Sequence, residues 1–514
     1  MTKRILALLL VLTMLATAGC GGSTSTSTPQ SEASGSEAGD PNEGRVLTLL
    51  TSADTESIDP TYCTATASWN HLMQVFEPLI YRDENMNLYG VLAESWEWQD
   101  NLTLQLKLRQ GVKFHSGAEF NADSVKLTFD RVMAAAGQTQ NRAPKDIPYE
   151  DIEILDPYTC NIKLTSKCPM LPYYLRTLMM LDPTVYTDTE PMVDVSKVSG
   201  TGPYRMAAYT TAESMEFEAF EEYWGGEAKI KKAIFRLVPE ASTRTAELLA
   251  GSADIIQGVS IDQLDTVETD TTHVISAGGG RDTGVAIRCD VEPFSDVRIR
   301  QAMNYAVDKE AINASLLGGY GEIYAGICMP PNENTTDITP YPYDPEKARA
   351  LLKEAGYETG LEVTITTSAG RYVRDKEISL AVAQYLEEVG IKASVEVADF
   401  SVITERKNNG TISNAFYFGL GGYFDGQGEL NWANANIQQN GWEDEYFMSE
   451  YDALKQEIDP EKRAKYIADL QVYVHEQAPW IFLFRQPLFY ATANDVEMVA
   501  RRDENFQLYY MSFI

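Results

Sequence analysis

Two periodicities alternate along this chain. In "NLTLQLKLRQGVKF", Leu102, Leu104, Leu106 and Leu108 fall at every second position, the spacing of a strand that buries one face. Gly117 marks a turn, and Asn121 then predicts the cap of a helix whose Val125, Phe129, Val132 and Met133 share a side. "IKKAIFRLVP" predicts another strand, followed by a helix from about Ser242 through "TRTAELLAG". The second half alternates strand and helix. In "YDPEKARALLKEAGY", Asp344 is the expected N-cap, Pro345 takes the first helical position and Gly356 closes the end, with Ala348, Leu351, Leu352 and Ala355 as the buried stripe. A strand (Leu361, Val363, Ile365), a helix (Ile378, Val382, Leu386, Val389) and a strand (Ala393, Val395, Val397) follow. This crossover predicts a right-handed, parallel pair. No internal repeat or Pro- or Ser-rich linker divides the body, so its lobes are expected to be joined by crossing strands.

The beginning of the chain obeys neither period. Lys3 and Arg4 precede an apolar stretch from Ile5 to Ala16, and small residues lead on to Cys20, the layout of a secretory signal peptide. Its apolar core is roughly a dozen residues, against about 20 needed to span a bilayer. "TAGC" resembles a bacterial lipobox, with Thr17 where leucine is usual. Removal of residues 1–19 then leaves Cys20 as a lipidated N-terminus, and residues 20–44, rich in Ser, Thr, Gly and Glu, as a flexible tether.

About 470 residues remain beyond the tether, enough for two or three domains. Apolar residues make up 44% and aromatic ones 10% of the chain, as in a well-cored globular protein, and no later segment is apolar enough to span a membrane. The formal charge is −33, and loss of Lys3 and Arg4 makes it −35. Such a field excludes nucleic acid as a partner. With Cys20 lipidated, Cys63, Cys160, Cys168, Cys289 and Cys328 remain; the odd count leaves a free thiol, and a Cys160–Cys168 bridge is not expected. There is no Cys-x-x-Cys, and His71, His115, His273 and His475 are scattered. Neither a Gly-x-Ser-x-Gly elbow nor a phosphate-cradling glycine loop occurs. No metal, cofactor or catalytic residue is therefore predicted.

From about Val46 to the C-terminus run "VFEPLIY", "LAESWEW", "LRQGVKFHSGAEFNADSV", "GTGPYR", "EEYWGG", "FSDVRIRQAMNYAVDKEAI", "YDPEKARALLKEAGY" and "APWIFLF", in that order. Together these strings resemble the family-5 extracellular solute-binding proteins, the dipeptide and oligopeptide receptors of ABC importers. Most of the strings have structural roles by residue type. "GTGPY" suits a sharp turn; in "FSDVRIRQAMNYAV", Asp296 serves the helix start and Ile299, Met303, Ala306 and Val307 its apolar face. The resemblance implies an α/β fold: a two-lobed, periplasmic-binding-protein-like clamshell of class II, enlarged by an extra subdomain. Lobe I is expected to comprise residues 45–81, 201–285 and 488–514, with the extra subdomain at 82–200, and lobe II residues 286–487. The chain is expected to cross between lobes near Arg288 and Arg485, and a ligand held between lobes favours the closed form.

A peptide in a dry cleft brings two charged termini that must meet opposite charges, and a backbone that strand-like pairing can satisfy. Asp425, in "GYFDGQGELNW", resembles the family aspartate that binds the α-amine, although "FDGQG" stands where Asp-Pro is typical. Asp-Gly is equally a turn signal. Arg371, in "SAGRYVRDKE", lies between a strand end and a helix, where open α/β sheets place ligands. It resembles the position that takes a peptide carboxylate; the alternative is a surface pair with Asp375 or Glu377. Tyr372, Tyr423, Phe424 and Trp432 are candidate pocket walls.

The expected protein is a monomeric, lipid-anchored, non-enzymatic receptor on the outer face of the cell membrane, or in the periplasmic space where an outer membrane exists. It captures peptides and delivers them to an ABC permease, without a cofactor. The alternatives are a relative that binds an oligosaccharide, opine, glutathione, haem or nickel complex, a signalling-peptide receptor, and a secreted hydrolase. The last requires a positioned nucleophile and base, which the sequence does not offer.

Overall fold

The computed structural model describes Asn42, residues 44–63, 65–135 and 147–327, Asn334, and residues 336–421, 425–433 and 439–514. Residues 44–514 form one compact unit. Lobe I begins with β1 (Val46–Thr51) and a hairpin of β2 (Ile80–Arg82) and β3 (Leu88–Gly90). A separate antiparallel sheet follows, made of β4 (Ala93–Asp100), β5 (Thr103–Leu108), β6 (Tyr149–Asp156) and β7 (Thr159–Leu164). β8 (Tyr204–Thr210), β9 (Ser214–Ala219), β10 (Lys232–Leu237) and β11 (Ile255–Gln257) complete the lobe. β12 (Thr272–Ile287) crosses to lobe II, which adds β13 (Glu322–Ile323), β14 (Glu362–Thr367), β15 (Lys392–Val397) and β16 (Ala415–Gly421). β17 (Trp480–Ala493) leads back. One sheet runs through both lobes in the order β15-β14-β16-β12-β17-β11-β1-β10-β9-β8.

β12 and β17, the two longest strands, pair antiparallel from Thr272↔Ala493 to Ala286↔Trp480. Arg485 lies within this stretch and pairs with Asp282 at 2.7 Å. Arg288 lies past the end of β12, its guanidinium held by Asp290. The β14–β15 pair is parallel, as the crossover pattern requires.

Local chemistry accounts for the elements. Leu104, Leu106 and Leu108 are buried, whereas Leu102 is 40% exposed at the turn before β5. Asn121 caps the helix Ala122–Ala135 by accepting from the Asp123 amide at 2.9 Å. Val125, Phe129 and Val132 of that helix pack with Phe114, Phe120 and the leucines of β5, each buried side chain stabilising by roughly 1.5–3 kcal/mol. Asp344 caps Pro345–Glu354 through the Lys347 amide at 2.9 Å. "GTGPY" has a different reason for its glycines than a turn. A Cβ on Gly200 would lie 2.0 Å from the Val75 carbonyl oxygen, and one on Gly202 2.7 Å from that of Gln74. Close backbone approach demands glycine there.

The lobe II part of the sheet is covered on both faces. Val285, Ile365, Ile481 and Leu483 meet Ile299, Met303, Leu352, Ile378 and Val382 on one face; Phe416, Phe418 and Phe482 meet Leu454, Ile467 and Leu470 on the other. No helix among the described residues is long and apolar enough to cross a membrane.

Candidate solute-binding cleft

β14 and β16 are parallel, and Gly421 at the end of β16 sits opposite Arg281, where β12 arrives from lobe I. Both strands therefore end toward lobe I, and the loops that follow them carry Arg371 and Asp425.

The first loop is organised by Asp375, the first residue of the helix Asp375–Glu388 and 1% exposed. Its carboxylate accepts from the amides of Gly370 (2.8 Å), Arg371 (3.1 Å), Tyr372 (3.2 Å) and Lys376 (2.9 Å), and from the Ser368 hydroxyl (2.7 Å). An anion at a helix N-terminus, ringed by amides, is a favourable arrangement. The Asp375 side chain thus meets the Arg371 backbone and not its guanidinium. That guanidinium lies 4.9 Å from the Phe400 ring centre and 5.5 Å from that of Tyr372, within cation–π reach. Arg371 is exposed and, among the described residues, forms no ion pair. Tyr372 is buried in the lobe II core against Tyr417, 5.8 Å between ring centres, and over Gly419, where a Cβ would lie 2.5 Å from the ring.

The second loop is organised by a charge pair. Asp425 is 1% exposed; one oxygen accepts from the Gly428 amide at 2.8 Å, and the other meets Arg463 Nη2 at 3.1 Å. Arg463 Nη1 donates to Gln427 Oε1 at 2.8 Å, and its Nη2 lies 3.9 Å from Met170 Sδ in the extra subdomain. Asp425 is thus a turn residue and a buried acid at once, and its counter-charge comes from the helix Pro460–Gln477. Trp432 is half-buried at the edge of the core that contains Leu430 and Phe418. Tyr423, Phe424, Cys20 and Cys328 lie outside the described residues. Arg463 was not legible as a site residue, because its position in an amphipathic helix gives no sign of a buried partner.

Further contacts hold the lobes together. Arg374 pairs with Asp262, Arg502 meets Glu322 at 3.3 Å, and the Tyr320 ring stands edge-on to Phe489. A separate pocket of about 80 Å³ lies within lobe I, lined by Tyr81, Tyr89, Tyr223, Trp224, Tyr509 and the carboxyl of Glu77, among others. Glu77 accepts from Tyr223 Oη at 2.7 Å and Trp224 Nε1 at 2.9 Å. Burial outweighs these donors and pushes its carboxyl up to about 7. His115, pushed down to about 4 by burial, is a structural contact of the Gly202 carbonyl. Cys160 is a free, buried thiol pushed up to about 12, so it does not bridge to Cys168. No group of side chains among the described residues has the make-up of a metal site.

With a two-lobed α/β body and paired loops facing across its hinge, the molecule has the form of a solute receptor. The family model of bacterial extracellular solute-binding proteins, family 5, matches residues 87–441, more than half of the chain. The chain belongs to this family. It is 30% identical over 452 residues to haem-binding protein A of Haemophilus influenzae, covering 79% of this chain and 81% of that protein. It is 29% identical over 464 residues to the glutathione-binding protein GsiB of Pectobacterium atrosepticum, covering 85% and 88%. Among solved structures, the periplasmic binding protein DppA of Helicobacter pylori in complex with the peptide STSA superposes with a TM-score of 0.75 at 21% identity, covering 91% of this chain and 98% of that one. CtaP of Listeria monocytogenes does so with a TM-score of 0.83 at 18% identity, covering 91% and 99%. The protein is a substrate-binding protein of an ABC importer, acting outside the cytoplasm with a membrane permease, and is not an enzyme.

Proposed function

We propose that the solute is a short peptide, bound between the lobes with its carboxylate on Arg371. The observation that carries this reading is the disposition of that arginine: exposed, stacked on Phe400, and held on a loop that Asp375 fixes from beneath. A guanidinium without an acidic partner at the cleft edge matches a carboxylate bidentately. The likeness to a peptide-bound relative and to glutathione-binding proteins supports the same class. In a second reading the peptide amine reaches Asp425, exchanging places with Arg463; it is favoured by the contact of Arg463 with Met170, which puts the carboxylate where the lobes meet. Cys20 carries the lipid anchor in this proposal, residues 20–44 form the tether, and the receptor works as a monomer.

Isothermal titration with tri-alanine, repeated on Arg371→Ala, tests the reading. A loss of 10-fold or more in affinity supports it. Unchanged affinity refutes the role of Arg371, and failure of the wild type to bind, with the Soret band of added haem shifted and sharpened relative to free haem, replaces the peptide with haem.

A further inference from the structure

The pocket of about 80 Å³ in lobe I stands apart from the two loops that carry Arg371 and Asp425. Its lining comes from residues 73–91, Pro203, the pair Tyr223–Trp224 and the C-terminal segment 507–510, all of lobe I. Rings make up most of the wall. Tyr223 stands 5.3 Å from Trp224 and 5.1 Å from Tyr509, centre to centre. Tyr509 is 5.3 Å from Tyr510, and Tyr81 is 6.3 Å from Tyr89. Tyr510 is 56% exposed, so the pocket opens to solvent beside it. The volume is about half of the roughly 150 Å³ that accommodates benzene in a protein interior, which suits a group of about three to five non-hydrogen atoms.

Two polar side chains stand among these rings. Glu77 is 6% exposed; Tyr223 and Trp224 orient its carboxyl and take two of the about four positions at which it accepts, and Thr201 lies near a third. Tyr81 is 3% exposed, and its hydroxyl has no hydrogen-bond partner in the protein, an unusual state for a buried polar group. A cation that carries N–H donors answers both features. The ring faces attract it, the carboxylate pairs with it, and the Tyr81 oxygen accepts from it. None of the neighbouring arginines lines the pocket. Arg109, 4.3 Å from the Trp224 ring centre, faces Glu94 at 3.7 Å. Arg501, 5.3 Å from the Tyr81 ring centre, pairs with Asp503 at 2.7 Å, and Arg82 meets the same carboxylate at 3.6 Å. Arg176 completes the charges that bear on Tyr81.

We propose that this pocket is a second ligand site, separate from the cleft, for a small primary alkylammonium held between the Glu77 carboxylate and the Tyr81 oxygen inside the wall of rings. It does not depend on the peptide reading given above. Burial pushes the Glu77 carboxyl up to about 7, and an ammonium that pairs with the ionised form displaces its proton. Affinity should therefore rise about 10-fold between pH 6 and pH 8. Arg109, which favours the ionised carboxyl, keeps its charge over this range, and Tyr81, Tyr89, Tyr223 and Tyr509, all raised by burial, keep their protons.

The test is an NMR titration of the full chain, labelled with nitrogen-15 at its seven tryptophans, with ethylammonium chloride as the probe. The Trp224 indole N–H donates to Glu77, and its signal is assigned by its loss in Trp224→Phe. Ethylammonium should move this signal saturably, with a Kd on the order of 1 mM for so small a ligand. Tetramethylammonium, with the same charge and no N–H, should bind at least 5-fold more weakly. Glu77→Gln should abolish the saturable shift and Tyr81→Phe should weaken it about 5-fold. Both substitutions keep the shape of the side chain, and the other indole signals, unmoved, report that the fold is intact. Arg371→Ala, which alters only the cleft, should leave the affinity within 2-fold. A shift that does not saturate, equal binding of the two cations, an affinity that does not change with pH, or Glu77→Gln binding like the wild type overturns the site. A parallel loss in Arg371→Ala places the probe in the cleft and overturns it equally.

Discussion

The loops after β14 and β16 solve the same problem in different ways. Each is built on a buried aspartate near the start of a helix. Asp375 is neutralised by four amides and a hydroxyl, whereas Asp425 is neutralised chiefly by Arg463. The first solution uses groups the loop already owns, so Arg371 stays available at the surface. The second binds an arginine from a distant helix and carries it to Met170 across the cleft. One loop presents charge and the other consumes it. Charged residues that look equivalent in sequence differ here because backbone donors are local and a guanidinium is not.

The largest effect should come from breaking the pair and leaving its acid behind. Arg463→Met removes the counter-charge of a buried carboxylate and should destabilise by about 4 kcal/mol, read from the urea midpoint. If the loss stays within about 1 kcal/mol, Asp425 has relaxed into solvent and the contrast between the loops is weaker than drawn. Next, Asp375→Asn puts an NH2 group among amide donors and should destabilise by about 3 kcal/mol. It should also weaken tri-alanine binding, since the loop that positions Arg371 loosens. Normal binding in this variant would separate Arg371 from the Asp375 scaffold.

Glu77 sharpens the comparison as a third buried carboxyl, held by Tyr223 and Trp224 with neither an ion pair among the described residues nor a ring of amides. Its acid is raised in the folded state, from an ordinary 4.5 to about 7, by burial. The folded protein then holds this proton more tightly than the unfolded chain does. The favourable contribution is full below about pH 4.5 and is lost as pH rises toward 7 and beyond. Between pH 5 and 8 wild-type stability should fall by about 2.5 kcal/mol more than that of Glu77→Gln. Parallel pH profiles for the two proteins would show that Tyr223 and Trp224 hold the ionised carboxylate as well as charge partners do.

The elements were legible in the chain because alternation at Leu104–Leu108 and the capped helix at Asp344 are local signals. The long pairing of β12 with β17 was not legible, since nothing local marks which distant strand a strand will meet. The glycines of "GTGPY" suggested a turn because turns are what glycine chemistry announces; their contact with the Val75 carbonyl is tertiary. The same limit applies to the cleft. Arg371 and Asp425 stood out by loop position and residue type, whereas Arg463 lies in a regular helix and acquires its meaning only from a partner far along the chain.

The smallest effect on stability is the most informative for function. Arg371 is exposed, its contacts are two aromatic rings, and the backbone of its loop is held by Asp375 whatever its side chain. Arg371→Ala should therefore shift stability by less than about 0.5 kcal/mol. A bidentate contact with a carboxylate, by contrast, is made only with solute present, so its removal should appear in affinity as a loss of 10-fold or more, the equivalent of about 1.4 kcal/mol. Arg371→Lys keeps the charge and loses the fork, and should recover only part of that loss. If instead Arg371→Ala destabilises the unliganded protein by more than 1 kcal/mol, the stacking on Phe400 is a structural cation–π contact. The two loops would then be alike, each using its arginine to hold itself together.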